Sequence, residues 1–239
     1  MQHFLESFSD TAANLACDEW LLQRCDSSES PCEVLRIWEN PELAAILGRS
    51  SKTAVEINAA YCQQNGIPAF RRCSGGASVM IGPGCLMYAV VLDYRLRPHL
   101  RMLDRAHAYV MEKMQTALAA CGIVTQFLGT CDLTVDSRKF SGNSLRCQRN
   151  SFLYHGTLLY DFDLALLHQC LGIPPRQPDY RAGRGHQEFV TNLPVDRAKL
   201  TAALLEAWNP SSPYPVSDLK AIESLAASKY RDAAWNNKL

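Results

Sequence analysis

This sequence of 239 residues has no formal net charge, because Lys and Arg total 24 and Asp and Glu also total 24. A zero balance excludes binding of nucleic acid or an anionic membrane through bulk charge, which requires a basic excess. No apolar run reaches the roughly 18–20 residues that cross a bilayer. The first ten residues, MQHFLESFSD, also lack the basic region and apolar core of a signal peptide. We therefore expect a cytoplasmic protein with neither a membrane nor a nucleic acid as partner.

Several ligand-binding signatures are missing as well. No CxxC pair occurs, and no cysteine lies near a histidine at zinc-ligand spacing, which argues against a structural metal. The 10 cysteines make up about 4% of the chain, below the roughly 8–10% of disulfide scaffolds, so reduced thiols are predicted. Neither GxGxxG nor GxxxxGK[ST] is present, which disfavours a dinucleotide fold and a P-loop.

The residues that are present have the composition of a folded domain, with 47% hydrophobic and 20% charged residues. Apolar periodicity and end signals predict helices and strands in mixed order. The predicted helices cover 11–24, 53–65, 101–121, 164–171, 197–208 and 217–228, and strands cover 34–38, 43–47, 85–92, 133–135 and 138–140. This order predicts an α+β fold with a mixed, mostly antiparallel sheet flanked by helices. No long linker interrupts the chain, so residues 1–239 are predicted to form a single domain.

Two segments have the composition of ligand sites. Arg71–Gly84 joins two arginines to a glycine loop, so that guanidinium groups and backbone N–H groups can share the charge of an anion. A hairpin turn with a solvated arginine pair fits equally well. Asp132–Ser144 contains Lys139 ahead of small polar residues, which offers a point charge to a carboxylate or phosphate. Taken alone, Lys139 is also typical of an exposed edge strand.

A third segment, Tyr154–Leu164, places His155 beside a glycine within an apolar strand. Such a histidine is more often a hydrogen-bonded structural group than a base. Two basic clusters are also notable. The residues from Arg95 to His107 fit a solvated helix entry, and those from Arg176 to His186 lie in a long Pro/Gly loop, where closure over a ligand is plausible.

Together the three segments resemble the lipoate-protein ligase A family of the biotin/lipoate protein ligase superfamily. His155–Leu159 carries the resemblance within the third segment. Further motifs extend it through most of the chain: Asn14–Ala16 before Asp18–Glu19, Leu35–Trp38, Ile46–Arg49 and Val190–Leu193. The resemblance implies the α+β catalytic fold and a two-step reaction. ATP converts lipoate into lipoyl-AMP, and a lysine of a lipoyl carrier domain then displaces AMP. The implied carriers are those of 2-oxoacid dehydrogenases or the glycine cleavage H protein.

The resemblance also implies roles for individual residues. Lys139 matches the family lysine that touches both acyl carboxylate and phosphate, and it is the predicted catalytic residue. Arg72 matches the arginine on the nucleotide. Asp132 is a candidate ligand of Mg²⁺ or a contact of adenine, and His155 is assigned to ligand binding. The loop over nucleotide and acyl chain corresponds to Gly75, Gly76, Ala77, Ser78, Val79 and Met80. The lipoyl tail would need an apolar slot, for which Val79, Met80 and Trp38 are candidates.

The sequence departs from the family pattern in three places. Ala77 stands where a third glycine is common, so its methyl group is expected to crowd the ligand or change the backbone angle. Cys131 replaces an Asn that commonly precedes the Asp. The chain ends at Leu239, where a small accessory domain begins in many ligases. We therefore expect a catalytic domain alone, with a separate accessory chain as one route to full activity.

Two alternatives remain open at this point. An acyltransferase of the same superfamily would need no ATP and would pass an octanoyl or lipoyl group through a cysteine nucleophile, for which Cys131 is the first candidate, followed by Cys170 and Cys73. A non-catalytic module would hold an acyl-adenylate or a carrier domain without turnover. Retention of Arg72 and Lys139 argues against the second alternative.

Overall fold

The computed structural model describes residues 1–215 and 218–239. Its strands are β1 (Gln2–Phe4), β2 (Val34–Glu39), β3 (Ala44–Leu47), β4 (Ala69–Arg71), β5 (Val79–Ile81), β6 (Cys85–Asp93), β7 (Gln126–Leu128), β8 (Asp132–Val135), β9 (Arg138–Cys147), β10 (Ser151–Leu159) and β11 (Ser212–Pro213). Its α-helices are α1 (Thr11–Ser27), α2 (Thr53–Glu56), α3 (Ala59–Gln64), α4 (Leu103–Ala120), α5 (Leu164–Cys170), α6 (His186–Phe189), α7 (Arg197–Trp208), α8 (Leu219–Leu225) and α9 (Ala233–Asn236). Short 3-10 turns cover Pro98–Arg101 and Asp179–Arg181, and a π turn covers Ala226–Tyr230.

The strands form a large sheet and a small one. The large sheet has the order β11-β1-β2-β6-β10-β9-β8-β7, and the small sheet has the order β4-β3-β5. In the large sheet β1 pairs in parallel with β11 and β2, and the remaining neighbours are antiparallel. The predicted α+β fold with a mixed, mostly antiparallel sheet is confirmed.

Strand β6 separates two apolar layers, because successive side chains of a strand point to opposite faces. Cys85, Met87, Ala89 and Val91 pack with α1, α8 and the small sheet. Leu86, Tyr88, Val90 and Leu92 pack instead with α4 and α7. The large sheet is thus covered on both faces, and the small sheet lies on the same side as α1.

Helix α1 begins where the sequence predicts it to begin. The Asp10 side chain accepts hydrogen bonds from the N–H groups of Ala12 and Ala13, which satisfies two donors that the first turn leaves free. The helix runs on to Ser27 and is buried along most of its length. It packs against β6, β10 and α8, which fixes its position over the sheet.

The predicted helix over 53–65 is wrong in its middle. The structure has two short helices there, α2 and α3. Ile57 forms a bridge with Leu171, and Asn58 caps α3 by accepting a hydrogen bond from the Tyr61 N–H. Both contacts require extended or capping backbone, and the first depends on a residue more than a hundred positions away. Gly66 ends the segment with φ at +64°, a conformation that favours glycine.

A tight turn between β8 and β9 positions the second predicted ligand segment. Asp136 and Ser137 both have positive φ, at 48° and 59°, which is the geometry of a two-residue type I′ hairpin turn. The register places Asp132 opposite Gly142 and Thr134 opposite Lys139, with an irregularity between Leu133 and Thr134. Strand β10 continues the sheet on the other side of β9.

The predicted helix over 217–228 is only partly comparable with the structure, since Ser217 lies outside the described residues. Helix α8 covers Leu219–Leu225, and the π turn extends it to Tyr230. Among residues 1–215 and 218–239, we find no helix that is both long enough and apolar enough to traverse a bilayer.

Candidate active site

A cavity of about 690 Å³ opens between α1, the small sheet and strands β9 and β10. We call it the main cavity. Eight of the predicted site residues line it: Arg72, Gly76, Ala77, Ser78, Val79, Asp132, Lys139 and His155. Gly75 and Met80 do not line it; Met80 lines a smaller adjoining cavity of about 100 Å³, the side cavity. The three predicted segments, although separated in sequence, therefore meet at one place.

Arg72 forms part of the wall of the main cavity, where backbone carbonyl oxygens hold its guanidinium. It donates to the carbonyl of Gly75 through Nε at 3.1 Å and through Nη2, and to the carbonyl of Ala77 at 3.0 Å. Its Nε also donates to Ser74 Oγ at 3.1 Å. Burial lowers the pKa of Arg72 to about 10, so it keeps its charge at neutral pH. No carboxylate of the described residues forms an ion pair with it.

The neighbouring Arg71 does not contribute to this wall. Its side chain is wholly buried and donates to the carbonyls of Gly48 and Ser51, at 2.8 and 2.7 Å, and to the carbonyl of Asn236. Arg71 thus ties β4 to the loop after β3 and to α9. The predicted arginine pair therefore places one guanidinium at the cavity and the other inside the protein.

The glycine loop, residues 73–78, follows Arg72 along the cavity wall. Gly76 has φ at +86°, which favours glycine. Ala77 is exposed and lacks a positive φ, so its methyl group needs no strained backbone. The loop is anchored by Glu56, whose Oε2 accepts hydrogen bonds from Ser78 N at 2.7 Å and from Ser78 Oγ at 3.0 Å. Gly48 is also required, since a Cβ there would lie 1.9 Å from the Gly76 carbonyl oxygen.

Lys139 projects into the main cavity from β9. Its Nζ lies 2.8 Å from Asp132 Oδ1, and about a quarter of the side chain (27%) is exposed. Asp132 Oδ2 accepts a second hydrogen bond, from the Tyr180 hydroxyl at 2.7 Å. Gly142 leaves room for the lysine, because a Cβ on Gly142 would lie 3.0 Å from Lys139 Nζ. The interpretation of Lys139 as an ordinary edge-strand residue is therefore wrong: it lies on an inner strand at a cavity.

Arg138, one residue earlier, has a different environment. Its Nη2 donates to the carbonyls of Val190 at 2.6 Å and Gln187 at 3.1 Å. It does not line the main cavity, and its contacts hold α6 and the following residues against β9. In this second dibasic pair, again, one residue faces the cavity and the other has a structural role.

His155 combines the two functions that the sequence left open. It lines the main cavity, and its Nε2 lies 2.5 Å from Ser74 Oγ. Its Nδ1 lies 3.5 Å from Asp18 Oδ2, and the other oxygen of Asp18 forms a 2.6 Å ion pair with the buried Arg36. A hydrogen bond to Ser74 therefore fixes one side of His155, and Asp18 lies within ion-pair distance on the other side.

Sequence reasoning missed three cavity residues: Asp18, Asn143 and Tyr180. Asp18 was noticed only as part of a resembling motif, since nothing in a helix predicts contact with a distant strand. Asn143 was signalled indirectly by Gly156, where a Cβ would lie 1.7 Å from Asn143 Oδ1. Tyr180 is separated from Asp132 by 48 positions, and no local pattern predicts their contact.

The loop 174–185, which we call the cover loop, borders the main cavity and contacts Asp132 through Tyr180. It contributes Arg176 and Arg181 to the lining, so the predicted ligand loop does reach the candidate site. Arg181 is almost fully buried and stacks on Phe189, with 4.8 Å between its guanidinium carbon and the ring centroid. The other predicted basic cluster is distant from the lining, and its Arg95 and Arg97 form ion pairs with Asp93 and Glu33.

Of the three candidates for an apolar slot, Val79 and Met80 line the side cavity and Trp38 does not. Trp38 is fully buried beneath Arg36 and lines neither cavity. The side cavity adjoins the main cavity at Val79 and Lys139. Its apolar lining includes Met80, Phe140, Leu159, Leu167, Leu171 and Phe189.

The fit of Mg²⁺ depends on Asp132. Within residues 1–215 and 218–239, no group of three or more His, Cys, Asp or Glu side chains could hold a metal ion. Mg²⁺ commonly uses one or two protein carboxylates and completes its octahedron with waters and substrate phosphates. Three carboxylates line the main cavity, those of Asp18, Asp132 and Asp179, and within the described residues they form no metal-binding cluster. Asp132 therefore suits a metal that arrives with a nucleotide, and does not suit an independent metal site.

The cysteines at and near the site are not poised as nucleophiles. Cys131 lines the main cavity, but its Sγ donates to the Asn143 carbonyl at 2.8 Å, and burial raises the pKa of its thiol to about 11. Burial likewise raises the pKa of Cys73 and of Cys170 to about 12. Because the thiolate is the reactive form, this environment disfavours the acyltransferase.

Comparison with known proteins places this geometry in a family. The family model described as the lipoyl protein ligase A/B catalytic domain matches residues 10–204. The chain belongs to this family. It is accordingly an enzyme of the ligase type, as the resemblance implied. Lipoate-protein ligase 1 of Staphylococcus aureus is 25% identical over 246 residues, which cover 96% of this chain and 71% of that protein.

Solved structures share the fold. A bi-partite lipoate protein ligase from Thermoplasma acidophilum, studied with its E2 lipoyl domain, superposes with a TM-score of 0.82 at 20% identity and covers 100% of this chain and 98% of its own. A lipoate-protein ligase A bound with ATP superposes with a TM-score of 0.80 at 19% identity, covering 100% of both chains. These likenesses confirm the architecture of a lipoate ligase catalytic domain.

Proposed function

We propose that this chain activates lipoate with ATP to form lipoyl-AMP and pyrophosphate, and then transfers the lipoyl group to a lysine of a lipoyl carrier domain. The observation that carries the proposal is the pairing of two cations at one cavity. Lys139 has a single carboxylate partner, and Arg72 is held by carbonyl oxygens without a carboxylate. Family membership, the ATP-bound relative and the relative studied with its E2 lipoyl domain support it.

In the first step two anions must approach each other, the carboxylate of lipoate and the α-phosphate of ATP. A fixed cation that touches both offsets their repulsion and is most effective when charge builds up in the transition state. We assign this role to Lys139, which lies at the junction of the main and side cavities. Its short contact with Asp132 would be exchanged for contacts with the two substrates.

Arg72 and the glycine loop are assigned to the nucleotide. The carbonyls of Gly75 and Ala77 fix the orientation of the guanidinium, so little freedom is lost when it binds a phosphate. Gly76, Ala77 and Ser78 lie beside it, and Glu56 fixes Ser78. His155, held by Ser74 and Asp18, is placed to bind the acyl-phosphate region.

The lipoyl tail is assigned to the side cavity, with Val79 and Met80 in its wall. Asp132 is assigned to a Mg²⁺ that enters with ATP, where the metal would neutralise phosphate charge. In the second step the ε-amine of the carrier lysine attacks the acyl carbon, and AMP leaves. The carriers we propose are lipoyl domains of 2-oxoacid dehydrogenases or the glycine cleavage H protein.

Pyrophosphate exchange tests the first step alone, because it measures the return of labelled pyrophosphate into ATP. We expect lipoate-dependent exchange that Lys139→Ala lowers about 100–1000-fold, the usual cost of removing an electrostatic group from a transition state. Arg138→Ala is the matched control, since it removes the adjacent cation that binds Val190 and Gln187 instead. It should keep at least half of the wild-type exchange.

Two other results would change the assignment. No exchange with lipoate, together with ATP-independent transfer from an octanoylated carrier that Cys131→Ser abolishes, would identify the acyltransferase. Binding of lipoyl-AMP with neither exchange nor transfer would identify a non-catalytic module. Exchange without transfer to a carrier would keep the ligase and indicate that a separate accessory chain serves the second step.

A further inference from the structure

The connection between α1 and β2 brings two thiols together away from the candidate active site. Cys25 lies in the last turns of α1, and Cys32 lies two residues before β2. Their Sγ atoms are 2.6 Å apart, and Cys25 donates the hydrogen bond. This separation is shorter than ordinary contact between two sulfurs that are not bonded. Neither residue lines the main or the side cavity.

We propose that Cys25 and Cys32 form a redox modification site, in which hydrogen peroxide converts the two thiols into a reversible disulfide that fastens the end of α1 to the start of β2. The inference is independent of the proposed ligase activity. Its readouts are the chemical state of the two sulfurs and the thermal stability of the fold.

The intervening loop is already held in the conformation that the disulfide needs. Arg95 donates to the carbonyls of Ser28 and Glu29, at 2.9 and 3.0 Å, and forms a 2.6 Å ion pair with Asp93. The other contact of Asp93 reaches Cys32, whose backbone N–H donates to Asp93 Oδ2 at 3.2 Å. Both ends of the loop are fixed in this way, and the two sulfurs that the bond would join already lie 2.6 Å apart.

The two thiols differ in ways that suit sequential chemistry. Cys32 is partly exposed, whereas Cys25 is fully buried. The hydrogen bond that Cys25 donates lowers the pKa of the Cys32 thiol, and burial together with that hydrogen bond raises the pKa of Cys25. The nearby Asp93 and Glu33 oppose ionisation of Cys32, while Arg24 favours it. Cys32 is therefore the sulfur that meets the oxidant, and Cys25 is the resolving thiol.

The reaction balances in two steps. The Cys32 thiolate attacks one oxygen of hydrogen peroxide, the O–O bond breaks, and Cys32 becomes a sulfenic acid as one water is released. The Cys25 sulfur then attacks the Cys32 sulfur, the S–OH bond breaks, and a second water leaves with the Cys25 proton. In total two thiols and one peroxide give one disulfide and two waters. A dithiol reagent reverses the reaction by exchange.

The bond would join the two elements that meet at the buried ion pair beneath the site. Helix α1 carries Asp18 and strand β2 carries Arg36, which are paired at 2.6 Å. A cross-link that closes this short loop lowers the entropy of the unfolded chain. For a protein of this size we expect the Tm of the oxidised form to rise by about 3–8 °C.

Mass spectrometry after trypsin provides a direct test, because both cysteines fall in one peptide, residues 25–36, between Arg24 and Arg36. The protein is treated with a small excess of hydrogen peroxide, its free thiols are alkylated, and it is digested. We expect this peptide to be unalkylated and lighter than the dithiol form by two hydrogen atoms. Dithiothreitol before alkylation should restore two alkylated cysteines.

Controls within the chain separate a specific site from general oxidation. The Cys62 and Cys170 thiols also interact, but both residues are buried, so peroxide should leave that pair reduced. In Cys25→Ser the sulfenic acid of Cys32 should persist and react with dimedone. In Cys32→Ala the Tm should be the same with and without peroxide. If Cys25→Ser does not fold, the mass of the wild-type peptide and the Tm of Cys32→Ala still show whether the disulfide forms.

Three outcomes would overturn the proposal. The peptide 25–36 of the treated wild-type protein could carry two alkyl groups, which would mean that the thiols do not react. Cys32 could instead reach sulfinic acid while Cys25 is alkylated, which would mean that Cys25 does not resolve it. Finally, a disulfide that leaves the Tm unchanged would show that the bond does not fasten α1 to β2.

Discussion

In each of the two dibasic segments of this chain, the two basic side chains lie in different environments. In Arg71–Arg72 and in Arg138–Lys139, one cation lines the main cavity and its neighbour binds backbone carbonyl oxygens elsewhere. Neighbouring side chains of an extended segment point in opposite directions. Only one member of each pair can therefore reach a ligand, and the other is free to stabilise the loops around it.

The comparison teaches that a buried cation held by carbonyls can have either role. Arg71 donates to the carbonyls of Gly48, Ser51 and Asn236, which do not line the main cavity. Arg72 is held just as firmly by Gly75 and Ala77, but these carbonyls belong to the cavity wall itself. What separates the cavity-lining arginine from the structural one is the location of the carbonyl acceptors, and their number does not distinguish the two.

The largest effect should come from Arg72→Met. This change removes the charge assigned to the nucleotide and the brace of the glycine loop at once. We expect kcat/KM of lipoate-dependent pyrophosphate exchange to fall about 100–1000-fold, or about 3–4 kcal/mol in transition-state stabilisation. Circular dichroism would verify that the variant is folded. Exchange within threefold of wild type would mean that Arg72 does not have the ligand role that distinguishes it from Arg71.

Arg71→Lys should have the complementary effect on stability. Lysine keeps the charge but lacks the planar guanidinium that donates to three separate carbonyls. Buried carbonyl acceptors therefore lose their partners. We expect the free energy of unfolding to fall by about 2–3 kcal/mol, measured by urea denaturation. Exchange well below the melting temperature should stay within about twofold of wild type. A large loss of exchange in a stable variant would contradict the structural role.

Asp132→Asn tests the partner of Lys139. Asparagine keeps an acceptor for Tyr180 but cannot neutralise Lys139 or offer a carboxylate to Mg²⁺. We expect exchange to fall about tenfold and the Mg²⁺ concentration for half-maximal exchange to rise. Tyr180→Phe is the matched control, because it removes the other contact of Asp132 and should leave the Mg²⁺ dependence unchanged. An unchanged Mg²⁺ dependence in Asp132→Asn would mean that Asp132 does not bind Mg²⁺.

These contrasts show which parts of the molecule local sequence can predict. Helix α1, strand β6 and the type I′ turn at Asp136–Ser137 depend on caps, apolar runs and turn residues, all of which are local. The helix over 53–65 was mispredicted because its break depends on Leu171. Propensity alone cannot anticipate a bridge across that distance.

The site shows the same limit more sharply. Lys139 and Arg72 were singled out through ordered motifs, and the structure brings them to one cavity. The charge of Arg71 was wrongly counted with theirs, because a dibasic pair in sequence does not say which side chain faces the cavity. Asp18 and Tyr180 were missed because their contacts with His155 and Asp132 join distant elements.

The smallest expected effect concerns His186, which lines the side cavity. Burial, with the charges of Arg181, His168 and Lys139 acting in the same direction, lowers the pKa of His186 to about 4 in the folded protein. In the unfolded chain it lies near 6.5. Between about pH 6.5 and 4 the unfolded chain therefore binds a proton that the folded protein does not, and stability falls as pH falls.

From pH 7 to pH 6 this one group should lower the free energy of unfolding by roughly 0.7 kcal/mol. Urea denaturation of wild type and His186→Gln at both pH values isolates its contribution, because the other titrating groups cancel in the difference. In the folded protein Lys139→Met should raise the pKa of His186, followed by NMR titration of its imidazole, because it removes a charge that disfavours the imidazolium. Arg138→Met should not, since Arg138 is not among the charges that lower this pKa. An equal response of Lys139→Met and Arg138→Met would mean that Lys139 and Arg138 do not differ in the way that their contacts indicate.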